Sequence, residues 1–300
     1  MTRPTVAESM KECLYRRDPV FSFEFFPPKD EAGMRTLEHS INQLARLKPA
    51  FVSVTCGAAG ATRDLTRNLV HSLQDKYAFG VIAHLTATGY SRDELAELIR
   101  DYRSQGIRNF LALRGDPPQD RPEWTPAPDQ LKHAVDVVKS IHDRISDVSV
   151  GVAGYPEVHP EAESPDADLR RLKEKVDAGA DFVITQMFFD NDLYFNFVNR
   201  ARQAGVRIPI LPGIMPVTRA GQVERFQSLC RVVVPPPLAS ALAAVDDPAR
   251  IREIGVSYAS AQCADLLRRG APGIHFYTLN QSRACHAIFA ALQAMGWSAA

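Results

Sequence analysis

Short apolar runs of strand type recur eight times along the chain, and helical patterns fill the spaces between them. The runs are FSFEFF from Phe21, FVSVTCG from Phe51, VIAHLTA from Val81, NFLALRGD from Asn109, VSVGVAGYP from Val148, DFVITQMFF from Asp181, IPILPGIM from Ile208 and GIHFYTLN from Gly273. None shows clean period-two alternation, as expected of parallel strands covered on both faces. Between the first two runs, EAGMRTLEHSINQLARL sets Met34, Leu37, Ile41, Leu44 and Leu47 three and four residues apart, one face of a helix. SRDELAELIRDYRSQG opens with the capping-box pair Ser91 and Glu94 and closes with Gly106, a helix with both ends marked. DADLRRLKEKVDAGA and DNDLYFNFVNRARQAG behave alike.

The runs start about 30 residues apart, the length of one βα unit. Two spacings are longer. One holds the proline-rich DPPQDRPEWTPAPDQ before the fifth run; the other holds RAGQVERFQSLC and a long helix ending at RRG before the eighth. Eight strand–helix units predict an α/β protein, a single-domain (β/α)8 TIM barrel over residues 1–300. Residues 1–19 form a helical extension beneath it, and an extra helix lies between strands seven and eight. An open doubly wound sheet is the competing fold, but no GxGxxG fingerprint follows any run.

Composition narrows the function classes. Hydrophobic residues make up 45% and charged residues 23%, and Lys+Arg and Asp+Glu are both 35. Zero net charge gives no support for nucleic-acid binding. No apolar run approaches the roughly 18–20 residues of a membrane span. The polar first twenty residues carry no signal-peptide core, so the expectation is a cytoplasmic protein that binds neither nucleic acid nor membrane. Five scattered cysteines, none in a CxxC pair, argue for reduced thiols and against zinc.

In a barrel the chemistry sits where strands end at their C-terminal side. Those positions hold Glu24; Thr55; His84 and Thr86; Arg114, Gly115 and Asp116; Tyr155, Glu157 and His159; Thr185 and Gln186; and Tyr277 and Asn280. Each has a bland reading. Glu24 could be a buried ion pair with Arg114 or His84, His84 a satisfied core histidine, RGD turn chemistry before Pro117-Pro118, and YPEVHPE a rigid proline loop. Their gathering at one rim favours a site. Without HExxH spacing, a carboxylate cluster or a GxSxG elbow, the set suits a planar heterocyclic ligand and one acid/base group. Glu24 stands in a strand with Phe21, Phe23, Phe25 and Phe26, and burial among these rings is expected to raise its pKa toward that of a working general acid.

The ordered motifs SFEFFPPK, FVSVTCGA, AHLTA, LALRGDPP, YPEVHPEA, DLRRLKEKVDAGADFVITQMFFD, PGIMPV and HFYTLN resemble those of the bacterial-type 5,10-methylenetetrahydrofolate reductase family from about residue 20 to residue 296. The resemblance implies an FAD-containing barrel in which NADH or NADPH delivers hydride to flavin N5 and leaves. Methylenetetrahydrofolate then binds at the same face and is reduced to 5-methyltetrahydrofolate. It implies Glu24 as the general acid protonating N10 while the five-membered ring opens to an iminium, and Asp116 near flavin and pterin. Gln186, Gln222 and Phe226 contact folate and nicotinamide. The resemblance implies a flavin site of Thr55, Ala58, His84, Arg114, Gly115, Asp116, Tyr155, His159, Ala162, Asp168 and Lys175, with Arg114 and Lys175 suited to the pyrophosphate.

Three positions depart from the family pattern. Cys56 stands where relatives often carry Tyr. Glu174 replaces a basic residue beside Lys175, with Arg171 as compensation. Gln281 stands where some relatives use Arg on the folate tail, with Arg283 two residues on. The resemblance further implies a homo-oligomer, dimer or tetramer, and a chain lacking the C-terminal regulatory domain of eukaryotic members and its inhibition by S-adenosylmethionine. VVVPPPLASALAAV (residues 232–245) is either an interface or a buried connection. The alternatives are a pterin-binding one-carbon transferase barrel without redox chemistry and a non-catalytic ligand-binding barrel.

Overall fold

The computed structural model describes residues 3–57, 62–116 and 125–298. Among the described residues nine strands run parallel: β1 (Val20–Phe25), β2 (Phe51–Val54), β3 (Gly80–Thr86), β4 (Asn109–Leu113), β5 (Ser149–Gly154), β6 (Phe182–Thr185), β7 (Ile210–Leu211), β8 (Gly213–Ile214) and β9 (Gly273–Tyr277). Their order is β7-β6-β5-β4-β3-β2-β1-β9-β8. The expected seventh strand is two short ones split at Pro212. Proline has no N–H to continue a ladder, so β7 pairs with β6 and β8 turns to pair with β9. The Pro212 carbonyl accepts from the His275 N–H at 2.9 Å. Chain continuity through Pro212 closes an eight-membered ring, the predicted TIM barrel.

Helices cover the outside: α1 (Val6–Arg16), α2 (Glu31–Ala45), α3 (Arg63–Lys76), α4 (Arg92–Ser104), α5 (Ala134–His142), α6 (Pro165–Asp177), α7 (Asn191–Gln203), α8 (Gln222–Cys230), α9 (Pro236–Ala243), α10 (Pro248–Arg268) and α11 (Ser282–Ala294). The Ser91–Glu94 capping box forms at the start of α4, and Gly106 follows the helix at φ +78°. Two helices, not one, precede α10. Pro235 and Pro236 supply the preset φ that starts α9, and its Leu238 is buried with Val232, Phe226 and Ile251. Residues 232–245 therefore include a buried connection.

Two layers of core follow from strand geometry, in which alternate residues face opposite sides. The larger layer lies between sheet and helices and takes Phe21, Phe23 and Phe25. The smaller fills the barrel with Val20, Phe51, Ile82, Leu111, Phe182, Ile184 and Leu211, joined by Val6 and Met10 of α1. Helix α1 closes the N-terminal end of the barrel as expected. Its first free N–H groups, which no helix can satisfy internally, donate to strand-start side chains: Val6 to Asn109 Oδ1 at 2.8 Å and Ala7 to Ser149 Oγ at 3.0 Å. Among the described residues no helix is long and apolar enough to cross a membrane.

Candidate active site

Beyond the plugged end, the interior turns polar. In β1 the inward positions after Val20 are Ser22 and Glu24, and neighbouring strands add Ser53, His84 and His275. Glu24 Oε2 lies 3.5 Å from His84 Nε2, 3.6 Å from His275 Nε2 and 3.4 Å from the Ser53 hydroxyl. His275 Nδ1 is bonded to Ser22 Oγ at 2.8 Å. The Glu24 side chain keeps 17% exposure, against 5% for His84 and none for His275, so the carboxyl is the member of the cluster that reaches the mouth.

This arrangement corrects the expectation for Glu24. Phe21, Phe23 and Phe25 point away from it into the outer layer, where Phe21 meets Phe289 and Phe23 stacks on Phe276, and Phe26 is exposed. Burial by the barrel wall does push the carboxyl up. Interactions with His275, His84 and the Ser53 hydroxyl outweigh it, leaving Glu24 below the ordinary carboxylate range. Burial also lowers His84 to about 4, so at neutral pH that ring is neutral. The partner of Glu24 is thus a pair of imidazoles, not Arg114, which makes a bidentate pair with Glu161.

The backbone around Glu24 is pinned. Its carbonyl accepts from Thr278 Oγ1 at 2.6 Å. One turn on, Asn280 donates from Nδ2 to the Phe26 carbonyl at 2.7 Å and accepts the Phe26 N–H at 3.0 Å. Leu279 and Asn280 adopt left-handed φ of 49° and 57° to reach this pose. Gly213 fits between strands where a Cβ would lie 2.3 Å from the Thr185 carbonyl and 2.6 Å from the Tyr277 ring. The Tyr277 hydroxyl donates to that carbonyl at 2.7 Å.

The other expected residues lie in the strands, in the loops that leave them or on the helices that follow, except Ala58, which lies outside the described residues. The Thr55 N–H donates to the Phe25 carbonyl at 2.9 Å. Cys56 Sγ lies 3.8 Å from the Tyr90 hydroxyl. Gly115, at φ +81°, sits so close to Thr86 that a Cβ would be 2.9 Å from the threonine Cβ. Asp116 is exposed. Tyr155 and His159 meet edge to face at 4.7 Å. The His159 N–H donates to Asp168 Oδ2 at 3.1 Å, and the Ala162 N–H donates to the His159 carbonyl at 2.9 Å. Lys175 donates to the Ala153 carbonyl at 2.6 Å, and burial lowers its ammonium to about 8. Arg171 is paired with Glu174 at 3.0 Å on the exposed face of α6.

Across the mouth, Gln186 Nε2 donates to Cys230 Sγ at 3.3 Å. Gln222 Oε1 accepts the Thr218 and Arg219 N–H groups at 2.8 and 3.2 Å, which commits its oxygen to the loop entering α8 and leaves its amide N–H groups. Phe226 is buried with Met187, Phe189 and Val217 beneath that helix. Gln281 is exposed at the start of α11.

Sequence reasoning did not single out Ser22, Ser53 or His275. The signal for His275 was its place two residues before Tyr277 in the same strand, hence on the same face, and its register opposite Ser22. Among the described residues no group of three or more His, Cys, Asp or Glu is placed to hold a metal. A groove of about 440 Å³ lies between α9 and α10 and is lined by Leu238, Ile254 and Tyr258.

The chain is 41% identical over 270 residues to 5,10-methylenetetrahydrofolate reductase of Escherichia coli, covering 89% of this chain and 88% of that one. It is 36% identical over 286 residues to methylenetetrahydrofolate reductase (NADH) 1 of Arabidopsis thaliana, covering 92% of this chain but only 48%, about half, of the plant protein. The fold matches that of an uncharacterised Clostridium thermocellum protein that binds two copies of 5-methyl-5,6,7,8-tetrahydrofolic acid, with TM-score 0.68, 18% identity and coverage of 95% of this chain and 98% of that one. The sequence profile of methylenetetrahydrofolate reductase matches residues 9–293, which takes in most of the plug helix, every barrel strand and each strand-end residue just described: the chain belongs to the methylenetetrahydrofolate reductase family.

Proposed function

We propose that this protein reduces 5,10-methylenetetrahydrofolate to 5-methyltetrahydrofolate through a bound FAD reduced by NADH or NADPH, with Glu24 as the general acid. The observation that carries the reading is the inward-facing carboxyl of β1, seated on two buried imidazoles and reaching the barrel mouth, in a chain of this family.

The strand-end residues fit such a cofactor. Lys175 is a half-buried cation whose hydrogen-bonded partner is the Ala153 carbonyl, with the charge of Asp168 opposing the fall of its ammonium. An ammonium enclosed with one carbonyl is costly, and a diphosphate would add negative charge beside it. Gly115, pressed on Thr86, leaves the rim low at the end of β4, and the Tyr155–His159 pair offers aromatic surface beside it. Thr55, Ala58, His84, Arg114, Gly115, Asp116, Tyr155, His159, Ala162, Asp168, Arg171 and Lys175 are the residues assigned to hold it. A bound FAD would supply two-electron hydride chemistry between the nicotinamide and the folate.

The chain's own task is to deliver and hold a proton. At rest Glu24 is a carboxylate. A pterin covering the mouth removes the water that reaches its exposed fraction, and loss of solvent favours the neutral acid. The carboxyl then protonates N10 of the folate as the five-membered ring opens. His275 holds the carboxyl from below. With Ser22 donating to Nδ1, its Nε2–H faces the carboxylate; with Nδ1–H donating to Ser22, its lone pair accepts the acid proton. Asp116, exposed at the end of β4, places a negative charge near the cationic form of the substrate. Gln186 and Gln222 present amide groups to the pterin and nicotinamide.

The test is an anaerobic spectrum followed by two half-reactions. The purified protein should be yellow and bleach with NADH or NADPH. Glu24→Gln should keep flavin reduction and lose folate reduction by about 10²–10⁴-fold. Equal loss of both half-reactions would make Glu24 a structural residue. A protein that binds folate but takes up no FAD would overturn the reading in favour of a non-redox transferase.

A further inference from the structure

Three of the four residues 230–233, at and just beyond the end of α8, are tied to the exits of two neighbouring strands. The Val233 N–H donates to Glu157 Oε2 at 2.7 Å, and the Arg231 guanidinium donates to the Pro160 carbonyl at 2.9 Å; both acceptors belong to the loop leaving β5. Cys230 Sγ takes the third tie, from Gln186 at the end of β6, at 3.3 Å. Glu157 is half-buried, and its Oε1 is enclosed without a hydrogen-bond partner among the described residues. The carboxyl is therefore aimed at one donor, the Val233 N–H. Burial raises it above the ordinary range, which that N–H opposes and the charge of Asp190 reinforces.

Both sides of this seam carry non-glycine residues in the left-handed region: Val158 at φ 73° and Arg231 at φ 54°. A β-branched residue is rarely found there, and such conformations persist only where surrounding contacts over-determine them. Val158 follows Glu157 directly and closes a turn onto the Tyr155 carbonyl at 3.2 Å. This turn aims the carboxyl across the mouth. Arg231 ends α8 and turns the chain so that the Val233 N–H faces back.

We propose that Glu157 is a positioning residue: by anchoring Val233 it holds α8 over the barrel mouth, so that the loop assigned to the flavin sets the pose of the helix assigned to the folate. The assignment of the two ligands rests on the function proposed above; the mechanical tie does not. Without the anchor the last turn of α8 loosens, Cys230 leaves Gln186, and the folate side of the mouth loses its shape while the flavin side, carried by β3 to β6, persists.

Limited trypsin digestion of the full chain reads the tie directly, at the bond after Arg231. Opening of a segment held by a hydrogen bond to a charged group is suppressed by roughly tenfold or more. Glu157→Ala should accelerate that cleavage by roughly tenfold. Glu157→Gln, which keeps a carbonyl oxygen for Val233, should restore protection. Val233→Pro removes the donor from the other side and should match Glu157→Ala, so a folding failure of one variant leaves the other to decide. Unchanged cleavage in the folded variants overturns the proposal. In steady state, Glu157→Ala should raise KM for methylenetetrahydrofolate several-fold with flavin content and kcat near the parent's, and loss of kcat at unchanged KM overturns the positioning role. A parent protein that lacks flavin and does not reduce the folate refutes the proposed function instead, and the digestion still decides the tie.

Discussion

Replacing Lys175 by methionine separates what its ammonium does for the fold from what it does for a ligand. In the flavin-free protein the group is buried, donates to the Ala153 carbonyl, and has dropped from 10.5 to about 8. That drop corresponds to about 3 kcal/mol. The sign follows from proton uptake. Between about pH 8 and pH 10.5 the unfolded chain binds the proton and the folded chain does not, so stability rises with pH there, and below pH 8 the full penalty is present. Methionine keeps the apolar stem and removes the penalty, but leaves the Ala153 carbonyl without its donor, a loss of about 1 kcal/mol. At pH 7 flavin-free Lys175→Met should therefore be more stable than the parent by about 2 kcal/mol, a rise in Tm of roughly 4 °C. At pH 10 the two should melt together. With FAD present the order should reverse at pH 7, because the variant cannot offer a cation to the diphosphate, and flavin affinity should fall by more than roughly thirtyfold, the factor that offsets about 2 kcal/mol. Differential scanning calorimetry at both pH values, with and without FAD, is the assay. A variant less stable than the parent by the same amount at both pH values would refute the argument and show that Lys175 serves only as packing.

Two further outcomes test the geometry. Gly213→Ala puts a Cβ against the Thr185 carbonyl and the Tyr277 ring, and should lower stability by about 1–3 kcal/mol in urea titration; wild-type stability would show that β8 can move away at no cost. Ser22→Ala strips His275 Nδ1 of its bonded partner at a fully buried site. It should lower stability by about 1–3 kcal/mol and shift the pH profile of folate reduction while leaving flavin reduction alone, and an unchanged profile would disconnect His275 from Glu24.

The barrel was legible because each strand is an apolar run with a helix pattern behind it. Nearly every residue singled out at a run's end does sit on the rim, since parallel strands point their C-terminal ends to one side. What escaped was orientation within a strand. In β1 the alternation is present, Phe21, Phe23 and Phe25 outward and Ser22 and Glu24 inward, but both faces of a barrel wall are buried, so rings and carboxyl merged into one apparent pocket. His275 was hidden for the same reason, as a polar residue inside an apolar run. The split of the seventh strand was signalled by Pro212, whose missing N–H was read as part of a continuous run. Helix α9 was masked by its prolines, which suggest a loop until the fixed φ of a first turn is considered.

The contacts that seat α1 also set an order of events. Its first turn is held by Asn109 and Ser149, which lie 103 and 142 positions further along than the residues they bind. On a ribosome the helix emerges first and its two acceptors much later, after β4 and β5 have been made. Bonds across such separations bear the largest chain-closure entropy and form late. A segment synthesised well before its anchors is thus among the last to be secured, and until then Val6 and Met10 present an apolar edge to whatever first covers a nascent chain.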